Sequence, residues 1–537
     1  MPAMVATPDL DRARDVIDIA RGVIDAATRT LAAAPGGVDA NQVLGYDLAH
    51  AASAVATGTA LLDYGSKGEA EARITVAYIA DAVAEIAGKL FGREAEWGVE
   101  HGALDATRDF VAAFKDPAFL SQITDPGPRH LDADFELVQD TFRRFADEEL
   151  KPIAEHIHRT NGDIPEHIIA GLAEMGAFGL SIPEEYGGFG TGGEGEYIGM
   201  VVATEELARG SLCAGGSLIT RPEILTRALL AGGTEEQKQT WLPKLASTEV
   251  LNAVSVTEPD FGSDVAGVKV TARPTEGGWL INGVKTWCTF AGRADVLMVL
   301  ARTDPDPKAG HRGLSMFIVP KPQAPGHAFA FTQDAADGAP GGGTMQGRAI
   351  DTIGYRGMHS FEIAFEDWFV AHENQIGLEN GLGKGFYYQM AGFENGRLQT
   401  AARAIGVMQA AYESAVAYCA ERTVFGETLD QYQLTQAKLA RMAVLIQAAR
   451  QFAYVVAKLM AVGEGTREAS MVKAYVCRAG EWVTREAQQL HGGFGYAEEY
   501  DVSRYFLDAR VLSIFEGADE LLCLKVIARR LVSELDA

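Results

Sequence analysis

Cysteine is scarce. The 537 residues hold five (Cys213, Cys288, Cys419, Cys477 and Cys523), and none sits in a CxxC pair. That scatter predicts a reducing compartment, here the cytoplasm, and offers no metal site. Positive charge is short too, with 47 Lys and Arg against 73 Asp and Glu and a formal net charge of −26. Affinity for phosphate backbones or anionic lipid needs clustered cations, so neither nucleic acid nor a membrane is an expected partner. No apolar run reaches about 18 uninterrupted residues, and the N-terminus lacks a basic-then-apolar signal layout. What the chain does have is 47% hydrophobic residues and enough length for two to four cores, the composition of a soluble globular protein.

Helical periodicity dominates both ends. Ile74, Ala77, Ala80, Val83, Ile86 and Leu90 recur at three- and four-residue spacing, as do Leu44, Leu48, Ala52 and Val55 one helix earlier. Gly36-Gly37 and Gly65-Ser66-Lys67-Gly68 break these runs, and Asp125-Pro126-Gly127-Pro128 ends the helical N-terminal block. Helices resume to about Ala246, interrupted by the loop Gly187-Gly188-Phe189-Gly190-Thr191-Gly192-Gly193, which lacks the βαβ setting of a dinucleotide fingerprint and reads as flexible. From Val250 the texture changes to short β-rich runs: 251–257, 268–272, 279–281, 296–301, 314–319 and 361–365. Asn282-Gly283 reads as a hairpin turn between two of them, and 334–347 as one long loop. From about Gly385 the chain is helical again. The expected order is an N-terminal helical extension (1–128), a helical domain (129–248), a β-domain (249–375) and a helical bundle (376–537).

One stretch near the C-terminus carries chemistry. Ile514-Phe515-Glu516-Gly517 sets a carboxylate after apolar residues and before a glycine. An apolar flank strips water from a carboxylate, which suits a general base, and glycine lets a ligand approach the backbone. The same residues also fit a plain helix start, with Glu516 and Asp519 in the first turn.

Five motifs in order resolve that choice. Thr257-Glu258-Pro259-Asp260-Phe261-Gly262-Ser263-Asp264 resembles the first signature of the acyl-CoA dehydrogenase family, and Trp279 to Thr289 resembles its second. Glu421-Arg422-Thr423-Val424-Phe425-Gly426 is similar to its cofactor helix–loop, followed by Gln489 to Tyr496 and by Ile514 to Gly517. The resemblance spans roughly 129–537. It implies a mainly helical fold with a central, barrel-like β-domain and a C-terminal four-helix bundle, a bound FAD, and α,β-dehydrogenation of an acyl-CoA. Val256, Thr257, Trp287 and Thr289 would line the flavin. Arg422, Phe425 and Gln433 would meet the far half of an FAD held across a subunit interface, with Gln489, Gly492, Gly493 and Glu520 on the same cofactor.

Ser263 would meet cofactor and CoA, while Glu394, Arg397 and Gly517 would contact substrate. Glu516 would draw the α-proton as the β-hydride passes to the flavin, with its backbone N–H polarising the thioester carbonyl. Some relatives keep the base at the position of Gly396, which cannot serve here. Phe515, Ala518 and Val424 each lack a hydroxyl that the family pattern carries. Without the motifs, Trp287 reads as a core aromatic and Arg422 as a solvated charge. The extension and residues 351–360 resemble the branch of the family acting on a short, branched, carboxylate-ended thioester. Such a carboxylate needs a cation, and Arg221 is the candidate, with a capping or surface role as its alternative. An electron-transfer flavoprotein would be the redox partner. The extension, which resembles a partial copy of the bundle, would cover a tetramer contact and leave a homodimer, with a tetramer as the other outcome. An oxidase, an idle nucleic-acid-binding relative and a purely structural protein remain rival readings.

Overall fold

The computed structural model describes residues 5–335 and 340–536. The chain forms two compact units. The described residues up to Asp140 join those from Thr400 onward in one unit, and residues 141–399 form the other.

In the first unit, the extension and the C-terminal helices build one core. The Gln42–Gly65 helix is buried around most of its circumference, from Leu44 and Leu48 to Leu61 and Tyr64. A helix apolar on every side belongs inside a bundle. It lies against the Leu10–Ala33 and Glu69–Leu90 helices and against the Gln433–Ala461 and Thr466–Leu490 helices. Gly58 permits the closest approach, since a Cβ there would stand 2.6 Å from Ile17 Cδ1. All six periodic positions from Ile74 to Leu90 are buried. The Gln433–Ala461 helix has the length and hydropathy to cross a membrane, but 83% of its most apolar window is buried, so it serves as a core helix.

In the second unit, helices 194–210, 221–232 and 235–246 accompany an eight-stranded sheet. Its strands are β1 (Asn252–Ser255), β2 (Thr271–Thr275), β3 (Gly278–Thr289), β4 (Val296–Arg302), β5 (Leu314–Pro320), β6 (Ala328–Thr332), β7 (Thr344–Ala349) and β8 (Ser360–Ala371). The order is β1-β4-β2-β3-β8-β7-β6, with β5 paired to β4; β1 and β2 run parallel to β4, and the other pairs are antiparallel. β4 explains the unbroken apolar run at 296–301. Leu297, Val299 and Ala301 enter the core on one face of the sheet, while Val296, Met298 and Leu300 pack with Ile224, Leu225, Leu229 and Leu242 of the helices.

Two expectations fail here. Asn282-Gly283 is no hairpin turn: β3 runs through it, and the pairing with β8 shifts register between Ile281 and Gly283. The turn joining β2 to β3 is at Glu276-Gly277, where Gly277 has φ +75°. Asn282 instead spans the bulge, its Nδ2 donating to Asp367 Oδ1 (2.8 Å) while its Oδ1 accepts from the Asp367 N–H (2.9 Å). Second, the 334–347 stretch is only partly loop, because Thr344 begins β7 and pairs with Thr332 of β6; residues 336–339 lie outside the described residues. The 187–193 stretch is a loop, as expected, and two of its glycines serve close packing. A Cβ on Gly188 would fall 2.1 Å from the Ile182 carbonyl oxygen, and the Gly190 N–H donates to that oxygen at 2.7 Å.

Candidate active site

The Val502–Leu512 helix ends in a turn that reverses the chain at Glu516 (φ +54°) and Gly517 (φ +95°). Glycine is required at the second position, where a Cβ would lie 2.9 Å from Leu522 Cδ2. A left-handed glutamate costs about 1 kcal/mol and persists only where its surroundings fix it. The Asp519 N–H closes the turn on the Ser513 carbonyl at 3.1 Å, and Lys473 Nζ donates to the Gly517 carbonyl at 2.6 Å. Lys473 is fully buried. Burial lowers its pKa, opposed by the charges of Cys477, Asp519 and Glu516. The expected drying of Glu516 by its own neighbours does not occur. Ile514 is 54% exposed, the Phe515 ring lies under the Arg403 guanidinium at 5.0 Å, and Glu516 stays half-buried. Asp519 does start the next short helix, as the plain reading had it, but Glu516 precedes that helix. Glu520 is exposed.

The first two signature motifs meet in the second unit. Beyond Lys285 the β3–β8 register shifts again, and Trp287 takes φ +57°. Its neighbour Cys288 is fully buried, so the bulge turns the indole outward, 55% exposed. Thr289 holds Ser360 Oγ at 2.9 Å, Val256 is buried, Thr257 half-buried and Ser263 exposed. The reading by motif missed the pair that locks this platform. Lys285 Nζ donates to Glu258 Oε1 (2.9 Å) and to the Val256 carbonyl (2.8 Å), and Glu258 also accepts from the Lys269 and Val270 N–H groups. The signal was there, an acid in one signature and a base in the other.

The cofactor helix–loop is a two-stranded hairpin, Thr423–Val424 with Glu427–Thr428. Phe425 at its tip is 97% exposed. The Tyr432 hydroxyl donates to the Val424 backbone carbonyl. Arg422, Gln433 and Gln489 are exposed, and a Cβ at Gly492 or Gly493 would meet nothing within 4 Å.

Arg221 begins the 221–232 helix and is only 7% exposed, so it is not a surface charge, but it does cap the 212–217 turn through the Ser217 carbonyl. Its guanidinium meets neutral acceptors, the Ser217 carbonyl (3.2 Å) and the Thr220 hydroxyl (3.5 Å); no ion pair engages it among the described residues. Phe178, Leu245 and Phe290 line a narrow crevice of about 10 Å³ beside it. Arg397 is buried and Glu394 half-buried. Motif reading also missed Arg227, which pairs with Glu196 and, at 3.6 Å, with Glu223 four residues earlier, and which sits 5.5 Å from the centre of the Tyr197 ring.

Three family models match in succession: the acyl-CoA dehydrogenase N-terminal domain at 132–249, middle domain at 253–368 and C-terminal domain at 383–532. The chain belongs to the acyl-CoA dehydrogenase family. It is an oxidoreductase acting on acyl-CoA, and the family is FAD-dependent. A curated relative, (2S)-methylsuccinyl-CoA dehydrogenase of Cereibacter sphaeroides, is 41% identical over 486 residues, covering 87% of this chain and 85% of that protein. That match is too long to be confined to 132–532. Among solved structures, a glutaryl-coenzyme A dehydrogenase with glutaryl-CoA superimposes with a TM-score of 0.67 at 30% identity, covering 75% of this chain and 96% of the other. A glutaryl-CoA dehydrogenase from Mycobacterium smegmatis in complex with FADH2 has a TM-score of 0.64 at 26% identity, with 75% and 95% coverage. The residues fit the cofactor: an outward, strained indole suits a flat ring system, and the open backbone at Gly492-Gly493 and the bare Phe425 leave polar and apolar surface for its other half. A bound FAD supplies acceptance of two electrons.

Proposed function

We propose that this acyl-CoA dehydrogenase converts (2S)-methylsuccinyl-CoA to mesaconyl-CoA, the step of the ethylmalonyl-CoA pathway, and passes its electrons to an electron-transfer flavoprotein. The observation that carries the substrate is Arg221. A guanidinium buried among neutral acceptors and apolar side chains is a charge without a counter-charge, which is costly. The far carboxylate of methylsuccinyl-CoA supplies one, and a bidentate pair would fix the chain's length and orientation. The long match to the Cereibacter relative, which reaches into the extension, supports the same reading.

In this reading Glu516 Oε accepts the α-proton, its backbone N–H steadies the thioester oxygen as charge develops, and Gly517 leaves room for the thioester. The β-hydrogen departs with its electron pair as the α,β double bond forms. Trp287, Val256, Thr257 and Thr289 orient the flavin, with Ser263 toward the pantetheine. Arg422, Phe425, Gln433, Gln489, Gly492, Gly493 and Glu520 belong to its other half. Glu394 and Arg397 shape the acyl site. Two chains share each cofactor and the extension covers the contact that would make a tetramer, so the assembly is a homodimer, and it resides in the cytoplasm, a compartment that five buried free thiols tolerate.

Anaerobic titration of the yellow enzyme with methylsuccinyl-, glutaryl-, isovaleryl- and butyryl-CoA tests this. Methylsuccinyl-CoA should bleach the flavin at the lowest concentration; equal bleaching by butyryl-CoA would remove the substrate assignment. Glu516→Gln should keep colour and ligand binding and lose bleaching. Arg221→Met should raise half-saturation for the carboxylated thioesters by about 100-fold and leave isovaleryl-CoA unchanged. Turnover with oxygen alone as fast as with the flavoprotein would make it an oxidase.

A further inference from the structure

The turn that carries Glu516 is also gripped by the N-terminal extension. Tyr46 and His50 lie one helical turn apart on the Gln42–Gly65 helix and point to the same atom. The Tyr46 hydroxyl donates to Asp519 Oδ2 at 2.5 Å, and His50 Nε2 lies 3.1 Å from that oxygen. Their rings meet edge-on with centroids 4.8 Å apart, so each limits the other's freedom. Asp519 is three residues from Glu516, and its own N–H closes the turn on Ser513. On the far side of the turn Lys473 holds the Gly517 carbonyl and feels the charges of both Asp519 and Glu516.

This grip answers a need. Ile514 points outward and Glu516 is half-exposed, so apolar packing does little to hold a glutamate in the left-handed region. Polar clamps at both ends of the Glu516–Asp519 segment replace it. His50, Asp519 and Cys523 place ligand atoms within 4.8 Å of one another, a spacing that could also suit a metal ion. The hydrogen-bonded reading is stronger, because Tyr46 already occupies the shared carboxylate oxygen and burial holds the Cys523 thiol protonated.

We infer that Tyr46 and His50 are positioning residues for the dehydrogenation: through Asp519, the extension sets the orientation of the Glu516 turn. The inference rests on Glu516 being the base.

Stopped-flow bleaching of the FAD-loaded full chain by (2S)-methylsuccinyl-CoA, with glutaryl-CoA and isovaleryl-CoA alongside, tests it. Displacing a catalytic group by about 1 Å can cost on the order of 100-fold in rate, so losing one clamp should cost about tenfold. Tyr46→Phe and Asp519→Ala should lower the bleaching rate constant by about that factor while flavin content and amplitude stay at the wild-type level. An α-deuterated substrate should show a larger isotope effect in both, since proton removal becomes more rate-limiting. Asp519→Asn, which still accepts from Tyr46, should recover most of the rate. Rate constants within about twofold of wild type in Tyr46→Phe and Asp519→Ala would overturn the inference. So would lost amplitude at an unchanged rate constant, the mark of a purely structural role. Glu516→Gln separates the two readings: a dead Glu516→Gln beside unaffected clamp variants removes only the clamp, whereas a wild-type rate in Glu516→Gln removes the base assignment itself.

Discussion

Asp519 shows how one carboxylate can be tuned by opposing influences. Burial pushes its pKa up, but the hydrogen bonds from His50 and Tyr46 outweigh this and hold it below the ordinary value of 3.8. A carboxyl lowered in the folded state adds stability above its unfolded value, and that share is lost as pH falls through the folded one. The stability gap between wild type and Asp519→Asn should therefore be full above the ordinary value of 3.8 and close as the pH falls below it through the lowered folded value, measured by urea unfolding. At this scale the sequence singles out residues but not their surroundings. Glu516 and Trp287 were legible because their motifs are local. The burial of Arg221, which turns an ordinary arginine into a candidate anchor, depends on Phe178, Leu245 and Phe290, residues no spacing rule connects to it. The Glu258–Lys285 pair was half legible, an acid in one motif and a base in the other, with no spacing rule to join them.

Among the elements, helices were read well and the sheet less so. A helix declares itself within a few turns, as 74–90 did. A strand's partner and register are settled at a distance, so Asn282-Gly283 looked like a hairpin when it marks a bulge inside β3. The two glycines of this region should separate on mutation. Gly283 has φ +126° and a Cβ there would lie 2.9 Å from Val270 Cγ2, whereas at Gly277 (φ +75°) the nearest atom is Phe369 Cζ at 3.9 Å. Gly277→Ala should cost about 1 kcal/mol, the price of conformation alone, and Gly283→Ala about 2–3 kcal/mol, because steric conflict adds to it. Chemical denaturation of the two variants checks the order; equal losses would contradict the bulge geometry. Removing Glu258 should be worse than either, at about 3–5 kcal/mol, since it leaves Lys285 charged, buried and unpaired.

For the whole molecule, the organisation cuts across the chain order. The extension was expected to pack within the chain or against a partner subunit, and its helices share a core with the C-terminal ones. That pairing was beyond the reach of periodicity, which reports a buried face but not what buries it. If the extension takes the place of a neighbouring subunit's helices, light scattering should give twice 57.5 kDa for the holoenzyme; a mass of four chains would remove that idea. Phe425 carries a further consequence. A phenyl ring left 97% bare on a hairpin tip is costly to keep in water, and in the proposed assembly a second copy and its cofactor cover it. Concentration then becomes a control on catalysis: as the enzyme is diluted, association, yellow colour and turnover should all fade along one curve.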